Sequence, residues 1–154
     1  MRSPTALFAA ATAAVVLAWA AAPLPAVGGG MAADCAIDLG PCLKQLPETG
    51  LTVAFDITPK PVATMKTVVF RVDLKQGGVP VTHGDVAVDL SMPRMTMAPN
   101  TVKLSHQGNG IYRGRGVIVK CPSGDGLWQA DTFVRHPARP DGSPQRAWFT
   151  FRVK

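Results

Sequence analysis

The fold is decided by a strictly alternating stretch that reads Leu51-Thr52-Val53-Ala54-Phe55-Asp56-Ile57-Thr58. Every second residue of this stretch is large and apolar, and the residues between them are small or polar. Because successive side chains of a β-strand point to opposite faces, the pattern predicts a strand with one buried face. The stretch ends at Pro59-Lys60-Pro61, which cannot continue a hydrogen-bonded ladder.

The same alternation recurs along the rest of the chain, and no window there has a helical period. Further strands are predicted at 68–74, 86–90, 102–104, 110–120, 128–134 and 147–153. Short strands separated by turns such as Gly108-Asn109-Gly110 are typical of a β-sandwich. The sequence therefore predicts an all-β, immunoglobulin-like sandwich of about seven antiparallel strands. Gly114 and Gly116 share the face of Tyr112, where they leave room for an opposing aromatic ring.

The beginning of the chain has the layout of an export signal. Arg2 supplies a positive charge, residues 6–22 form an apolar run, and small residues and prolines follow. We therefore predict a signal peptide over 1–26, an irregular lead-in over 27–49 and one domain over 50–154. The protein is expected in the periplasm or otherwise exported. Two alternatives stay open: an uncleaved run would tether the domain to the membrane, and a lipid anchor would use Cys35.

The chain has three cysteines, at positions 35, 42 and 121. In an oxidising compartment one pair is expected to form a disulfide and to leave one thiol. The sequence does not choose between Cys35, Cys42 and Cys121 as partners.

Basic residues are concentrated in the C-terminal half. The chain carries 16 Lys and Arg against 10 Asp and Glu, for a net charge of +6. Residues 94–154 hold ten of the basic residues and three of the acidic ones. Solvated outward strand positions explain this excess, and a basic face for an anionic partner or a membrane surface is the alternative. Few aromatic residues lie on the basic strands, which argues against a nucleic-acid partner.

No enzyme signature is present in the sequence. It contains no nucleophile elbow, no metalloprotease helix and no phosphate-binding glycine loop. We therefore expect a non-enzymatic protein, of an oligomeric state that the sequence does not define.

The loop over 91–100 is the most informative segment for function. It contains three of the six methionines of the chain, Met92, Met95 and Met97. Thioethers are soft ligands that select copper(I) over harder divalent ions. The sequence therefore predicts a copper(I) site formed by these methionines and, if its thiol is reduced, Cys121. The alternative is structural: Met92 continues the core face of its strand, and the other two cap the open end of the sandwich.

Strand alternation predicts where these residues lie. If successive strands run in opposite directions, the methionine loop and Cys121 share one end of the sandwich. By the same argument His83, His106 and His136 share the opposite end. Surface positions in loops are the ordinary explanation for three such separated histidines.

Three short motifs carry a family resemblance: Met92-Pro93-x-Met95-x-Met97, Gly110-x-Tyr112 and Gly126-x-Trp128. Their order and spacing resemble the YtkA-like family, which is related to FixH-type proteins, over about residues 50–153. The resemblance implies an exported or membrane-anchored single domain with an immunoglobulin-like sandwich, in which Tyr112 and Trp128 are core aromatics. FixH proteins are associated with cation-pump and terminal-oxidase assembly, which implies copper handling. Many relatives place a histidine near the methionines, where this chain has Arg94 and Thr96.

Two functions follow as expectations. The first is an exported, non-enzymatic binding module that handles copper(I) through the methionine loop. The second is a metal-free structural or interaction domain that docks onto a membrane-associated or periplasmic complex.

Overall fold

The computed structural model describes residues 32–122, 126–136 and 142–153, which form an all-β sandwich. Its described strands are β1 (Cys42–Leu46), β2 (Leu51–Thr58), β3 (Thr67–Gln76), β4 (Val79–Pro80), β5 (Asp85–Ser91), β6 (Thr101–His106), β7 (Ile111–Val117), β8 (Leu127–Arg135) and β9 (Gln145–Arg152). The predicted signal peptide over 1–26 lies outside the described residues. Within the described ranges, no helix has the length and apolarity needed to span a bilayer.

All seven predicted strands are present, and β1 and β4 are additional. β1 lies within 27–49, where no regular structure was predicted, so that prediction is wrong for residues 42–46. The reason is that β1 is an edge strand without a fully buried position, and its Leu43 is 69% exposed. Its apolar residues therefore do not mark one buried face. β4 has only two residues and pairs with the end of β3.

The strands form two antiparallel layers that share β6. One layer has the order β1-β2-β3-β7, with β4 beside β3, and the other has the order β6-β5-β8-β9. β6 pairs with β5 through Val86 and Leu104, and its last residue, His106, pairs with Tyr112 of β7. One strand therefore passes from the second layer into the first. The predicted immunoglobulin-like sandwich is confirmed.

The core lies between the two layers and is built from the inward residues of the alternating strands. Phe55 of β2 stacks on Phe149 of β9 with ring centroids 5.2 Å apart, so the contact joins the two layers. The ring centroid of Phe70 in β3 lies 6.4 Å from that of Phe55. Tyr112 and Trp128 are fully buried, as the family resemblance implied. Aromatic rings of this size supply a large share of the apolar area that stabilises a small domain.

Two glycines of β7 allow β6 to approach closely. A Cβ on Gly114 would lie 2.6 Å from Leu104 Cδ2, and one on Gly116 would lie 2.9 Å from the Phe70 ring. The predicted opposing aromatic ring is thus present at Gly116, whereas an aliphatic side chain fills the space at Gly114. A larger residue at either position would force these neighbours to move.

A disulfide joins Cys35 to Cys42 and closes the chain before β1. This settles the pairing that the sequence left open. The Cys35 N–H donates to the Thr150 carbonyl at 2.9 Å, and the Thr150 N–H donates to Asp34 Oδ1 at 2.7 Å. Burial acts to raise the pKa of Asp34, but hydrogen bonds from Lys44 and Thr150 outweigh it and leave that pKa lowered. Residues 34–35 are thereby tied to the outer edge of β9.

Candidate metal centre

Three loops meet at one end of the sandwich and carry its sulfur atoms. They are the β2–β3 connection over 59–66, the β5–β6 connection over 92–100 and the chain that follows β7. The Met65 N–H donates to the Ile118 carbonyl at 2.8 Å, which ties the first loop to the third. The Cys121 thiol lies against Met95, which ties the third loop to the second. We call this end the sulfur pole and define it by Met65, Met92, Met95, Met97 and Cys121.

The methionine loop begins with a tight turn. The Met95 N–H donates to the Met92 carbonyl at 3.0 Å, and the two residues form an isolated β-bridge. Pro93 and Arg94 occupy the corner of this turn, where proline is well tolerated. Met92 is only 5% exposed and belongs to the core, so the predicted continuation of the core face is confirmed. As the loop stands, its thioether lies beneath the surface.

Met95 and Met97 are partly buried and pack against the core from above. They therefore occupy the open end of the sandwich, as expected for flexible side chains that fill an irregular gap. The packing does not exclude ligation, because both side chains are only partly buried.

A close non-bonded sulfur contact joins Cys121 to Met95. The Cys121 Sγ lies 3.3 Å from the Met95 Sδ, with the thiol as donor. Cys121 is partly buried and keeps its thiol, since the other two cysteines form the disulfide. Two sulfur ligands held at about 2.3 Å from one metal at a tetrahedral or trigonal angle are about 3.8–4.0 Å apart. Capture of a metal between them requires a separation larger by roughly half an ångström and the loss of the thiol proton.

The structure thus brings together Cys121 and Met95, with Met97 two residues further along the same loop, and places Met92 below them. Sequence reasoning missed Met65, which is 66% exposed at the same pole. The signal for Met65 was available, because strand alternation places the first, third and fifth connections between the predicted strands at one end. Met65 lies in the first of these connections.

The opposite end, which we call the histidine pole, contains His83, His106 and Tyr112. The ring centroids of His83 and His106 are 5.5 Å apart, and that of Tyr112 lies 5.0 Å from His106. His136 directly follows β8, at the point where Arg135 pairs with Asp85, so it belongs to the same end. The predicted distribution of the histidines is confirmed.

Tyr112 closes the histidine pole from inside. Its hydroxyl donates to the Val81 carbonyl at 2.9 Å and accepts from the Gly84 N–H at 2.9 Å. Burial raises the pKa of Tyr112, and the bond from Gly84 acts in the opposite direction. Among the described residues, no three His, Cys, Asp or Glu side chains are arranged to hold a metal ion.

Similarity to known proteins is found at the level of a family model. No curated protein and no solved structure matches the chain. The sequence model of the YtkA-like family matches residues 46–132, more than half of the chain. The matched region runs from the end of β1 into β8 and includes the methionine loop and Cys121. The chain belongs to the YtkA-like family.

Proposed function

We propose that this protein is an exported, non-enzymatic module that binds copper(I) at its sulfur pole. The observation that carries the proposal is the 3.3 Å contact between Cys121 Sγ and Met95 Sδ. Cys121 supplies a thiolate, Met95 supplies a thioether, and Met97 supplies a second thioether from the same loop. These soft donors favour copper(I) over magnesium or calcium. Met92 supports the loop from below and becomes a ligand only if the turn at Pro93 opens.

Partial exposure of the site suits a protein that passes its metal on. Thioethers need no deprotonation and bind weakly as single ligands, so an incoming donor can replace them one at a time. The thiolate supplies most of the affinity and is the last bond to break. Transfer by ligand exchange follows from this order.

Export of the protein is part of the same proposal. The signal over 1–26 supports it, and so does the Cys35–Cys42 disulfide, since such bonds persist mainly in oxidising compartments. The periplasm is the compartment proposed, with the domain either released or held by an uncleaved leader. Fractionation of the native cell, with mass measurement of the mature chain, tests the location and the cleavage together.

The central experiment is a copper(I) titration of the domain against a colorimetric copper(I) chelator under anaerobic conditions. Ascorbate serves as the reductant because it maintains copper(I) and leaves the disulfide intact. We expect sub-micromolar binding at one site. The Cys121→Ser variant is expected to lose about 100-fold in affinity, and the Met95→Leu/Met97→Leu variant about tenfold, each factor of ten corresponding to about 1.4 kcal/mol.

The matched control is His83→Asn, which removes a metal-binding side chain at the opposite pole. Asn tolerates the positive φ of 62° at this position better than most residues. Its copper(I) affinity should equal that of the native protein within about twofold. Failure of the native protein to bind below one micromolar, or unchanged affinity in the two sulfur variants, overturns the proposal.

The alternative function is a metal-free domain that docks onto a membrane or periplasmic complex. Its specific support is the exposure of two large apolar residues at the outer strands of the two layers, Leu43 of β1 at 69% and Trp148 of β9 at 48%. Exposed apolar residues of this size occur at interaction surfaces. This function predicts that Leu43→Ser/Trp148→Ser releases the protein from membranes of the native cell and leaves copper(I) affinity unchanged.

A further inference from the structure

A cluster of basic residues lines a groove on the outer face of the first layer. The groove has a volume of about 480 Å³ and lies where β6 joins β7. Its charged lining residues are Lys103, Arg113 and Arg115. The uncharged ones are Val69, Ser105, Gln107 and Gly114. We propose that this groove is a binding site for a phosphate-type oxyanion.

Strand register brings the three cations together. Arg113 of β7 is paired with Ser105 of β6, and Arg115 is paired with Val69 of β3. Side chains two residues apart on a strand share a face, so Lys103 and Ser105 point to the same side as Arg113 and Arg115. Neighbouring positions of such a patch are about 5–8 Å apart, a spacing that a phosphate group or two linked phosphates can bridge.

The close approach of β6 to β7 fixes this geometry. A Cβ on Gly114 would lie 2.7 Å from the Lys103 carbonyl, so only glycine permits the observed distance between the strands. The Lys103 backbone is thereby held next to the strand that carries Arg113 and Arg115. The groove is a consequence of the same glycine that lets β6 change layers.

Carboxylates on the strands around this cluster have other partners. Asp89 of β5, which lies diagonal to Lys103, accepts from the Thr101 hydroxyl at 2.6 Å. Asp73 accepts two hydrogen bonds from Arg71, each 2.8 Å long, and Asp56 accepts from Lys60 at 2.7 Å. Among the described residues, no carboxylate forms an ion pair with the three groove cations. Like charges on neighbouring strands repel each other, and a bound anion removes this repulsion. The cluster is therefore short of negative charge in the protein as it stands.

The chemistry of the groove selects the class of ligand. Arginine presents a planar fork of N–H donors that matches the oxygens of phosphate, and Lys103 adds a point charge. The Ser105 hydroxyl can donate one further hydrogen bond. None of the described residues that line the groove is aromatic, so they offer no stacking surface for a nucleic-acid base. The ligand is a phosphate-bearing group, either free in solution or at the head of an anionic lipid.

The test uses the disulfide-bonded domain with two probes at constant ionic strength. Inorganic pyrophosphate represents the free ligand, and vesicles of phosphatidylglycerol in phosphatidylcholine represent the lipid. Binding is followed in amide spectra, where we expect saturable shifts at Lys103, Ser105 and Gly114. Arg113→Gln/Arg115→Gln is expected to weaken binding of the effective probe at least tenfold.

The control variant is Lys66→Gln/Lys75→Gln, which also removes two positive charges, but from exposed positions outside the groove. Its affinity should stay within about twofold of the native value, since it loses only long-range attraction. Shifts with pyrophosphate alone identify a free ligand, and vesicle binding that pyrophosphate displaces identifies a lipid headgroup. Equal weakening in both variants, or no saturable binding of either probe, overturns the proposal. None of these outcomes bears on the copper(I) proposal, which is tested separately at the sulfur pole.

Discussion

The two ends of the sandwich differ in how deeply their functional side chains are anchored. At the histidine pole, Tyr112 is fully buried and its hydroxyl bonds to two backbone groups of the β4–β5 connection. At the sulfur pole, Met95, Met97 and Cys121 rest partly exposed on the core, and their closest contact is between two sulfur atoms. One end is therefore closed by a rigid aromatic residue, and the other is covered by flexible side chains.

This difference has a consequence for function. A site that takes up and releases a ligand needs side chains that can move without loss of the core, and the partly buried Met95, Met97 and Cys121 of the sulfur pole meet this need. The histidines lie beside a side chain whose removal would open the interior. The contrast can be tested by substitutions that compare the two ends directly.

The largest expected effect is at Tyr112. Tyr112→Ala should lower the free energy of unfolding by about 3–5 kcal/mol, because it removes a fully buried aromatic ring and leaves a cavity. Met97→Ala should lower it by about 1 kcal/mol or less, since this side chain is only partly buried. Urea denaturation at neutral pH measures both. Similar losses in the two variants would contradict the contrast between the poles.

The second effect is a difference in stability between substitutions at Met92 and Met95 of the methionine loop. Met92→Ala should cost about 2–4 kcal/mol, as expected for a long core side chain, and Met95→Ala clearly less. Comparison of the denaturation midpoints with that of Met92→Leu shows whether volume alone explains the loss, because Leu fills nearly the same space. If Met92→Ala were as stable as the native protein, Met92 would not belong to the core.

The third effect concerns the hydroxyl of Tyr112. Tyr112→Phe should cost about 1–3 kcal/mol at neutral pH, since it leaves the Val81 carbonyl and the Gly84 N–H without their partner.

The raised pKa of Tyr112 adds a pH dependence. Below the ordinary tyrosine pKa of 10.0 both states are neutral, and above it the unfolded chain ionises first. Stability should therefore fall as the pH rises above about 10, and Tyr112→Phe should lack this part of the decline. Tyr112 is the only tyrosine of the chain, so tyrosinate absorbance reports its titration directly. An absorbance change at the ordinary pKa would contradict the burial effect.

The smallest effect is a change in reactivity at the sulfur pole. Native protein treated with iodoacetamide should gain one label, at Cys121, and denatured, reduced protein should gain three. Met95→Leu should alter the labelling rate by only a few-fold, because it removes one weak sulfur contact. Mass spectrometry counts the labels. Slow labelling that matches a fully buried thiol would show that Cys121 is closed to solvent.

Much of the fold could be predicted from individual strands. Alternation in residues 51–58 and in the later strands placed the buried faces correctly, since a half-buried strand repeats every two residues. β1 could not be found in this way, because an edge strand with no fully buried position has no such contrast. β4 is too short for any periodic signal.

The candidate site was only partly predictable. Met92, Met95, Met97 and Cys121 were assigned to one end by strand direction, and the structure places them there. The core position of Met92 follows from the alternation of the strand that precedes it. The contact of Cys121 with Met95 could not be predicted in this way, because it depends on how two loops fold over the end of the sandwich. Met65 was accessible to the same argument and was overlooked.

Local sequence patterns were enough to predict seven of the nine described strands, the faces they bury and the end of the sandwich to which their connecting loops belong. These properties follow from local periodicity and from the reversal of direction at each turn. Only the tertiary structure decided the pairing of Cys35 with Cys42, the approach of Cys121 to Met95 and the groove between Lys103 and Arg115. Each of these joins residues from different strands or loops, whose distance is set by the packing of the two layers.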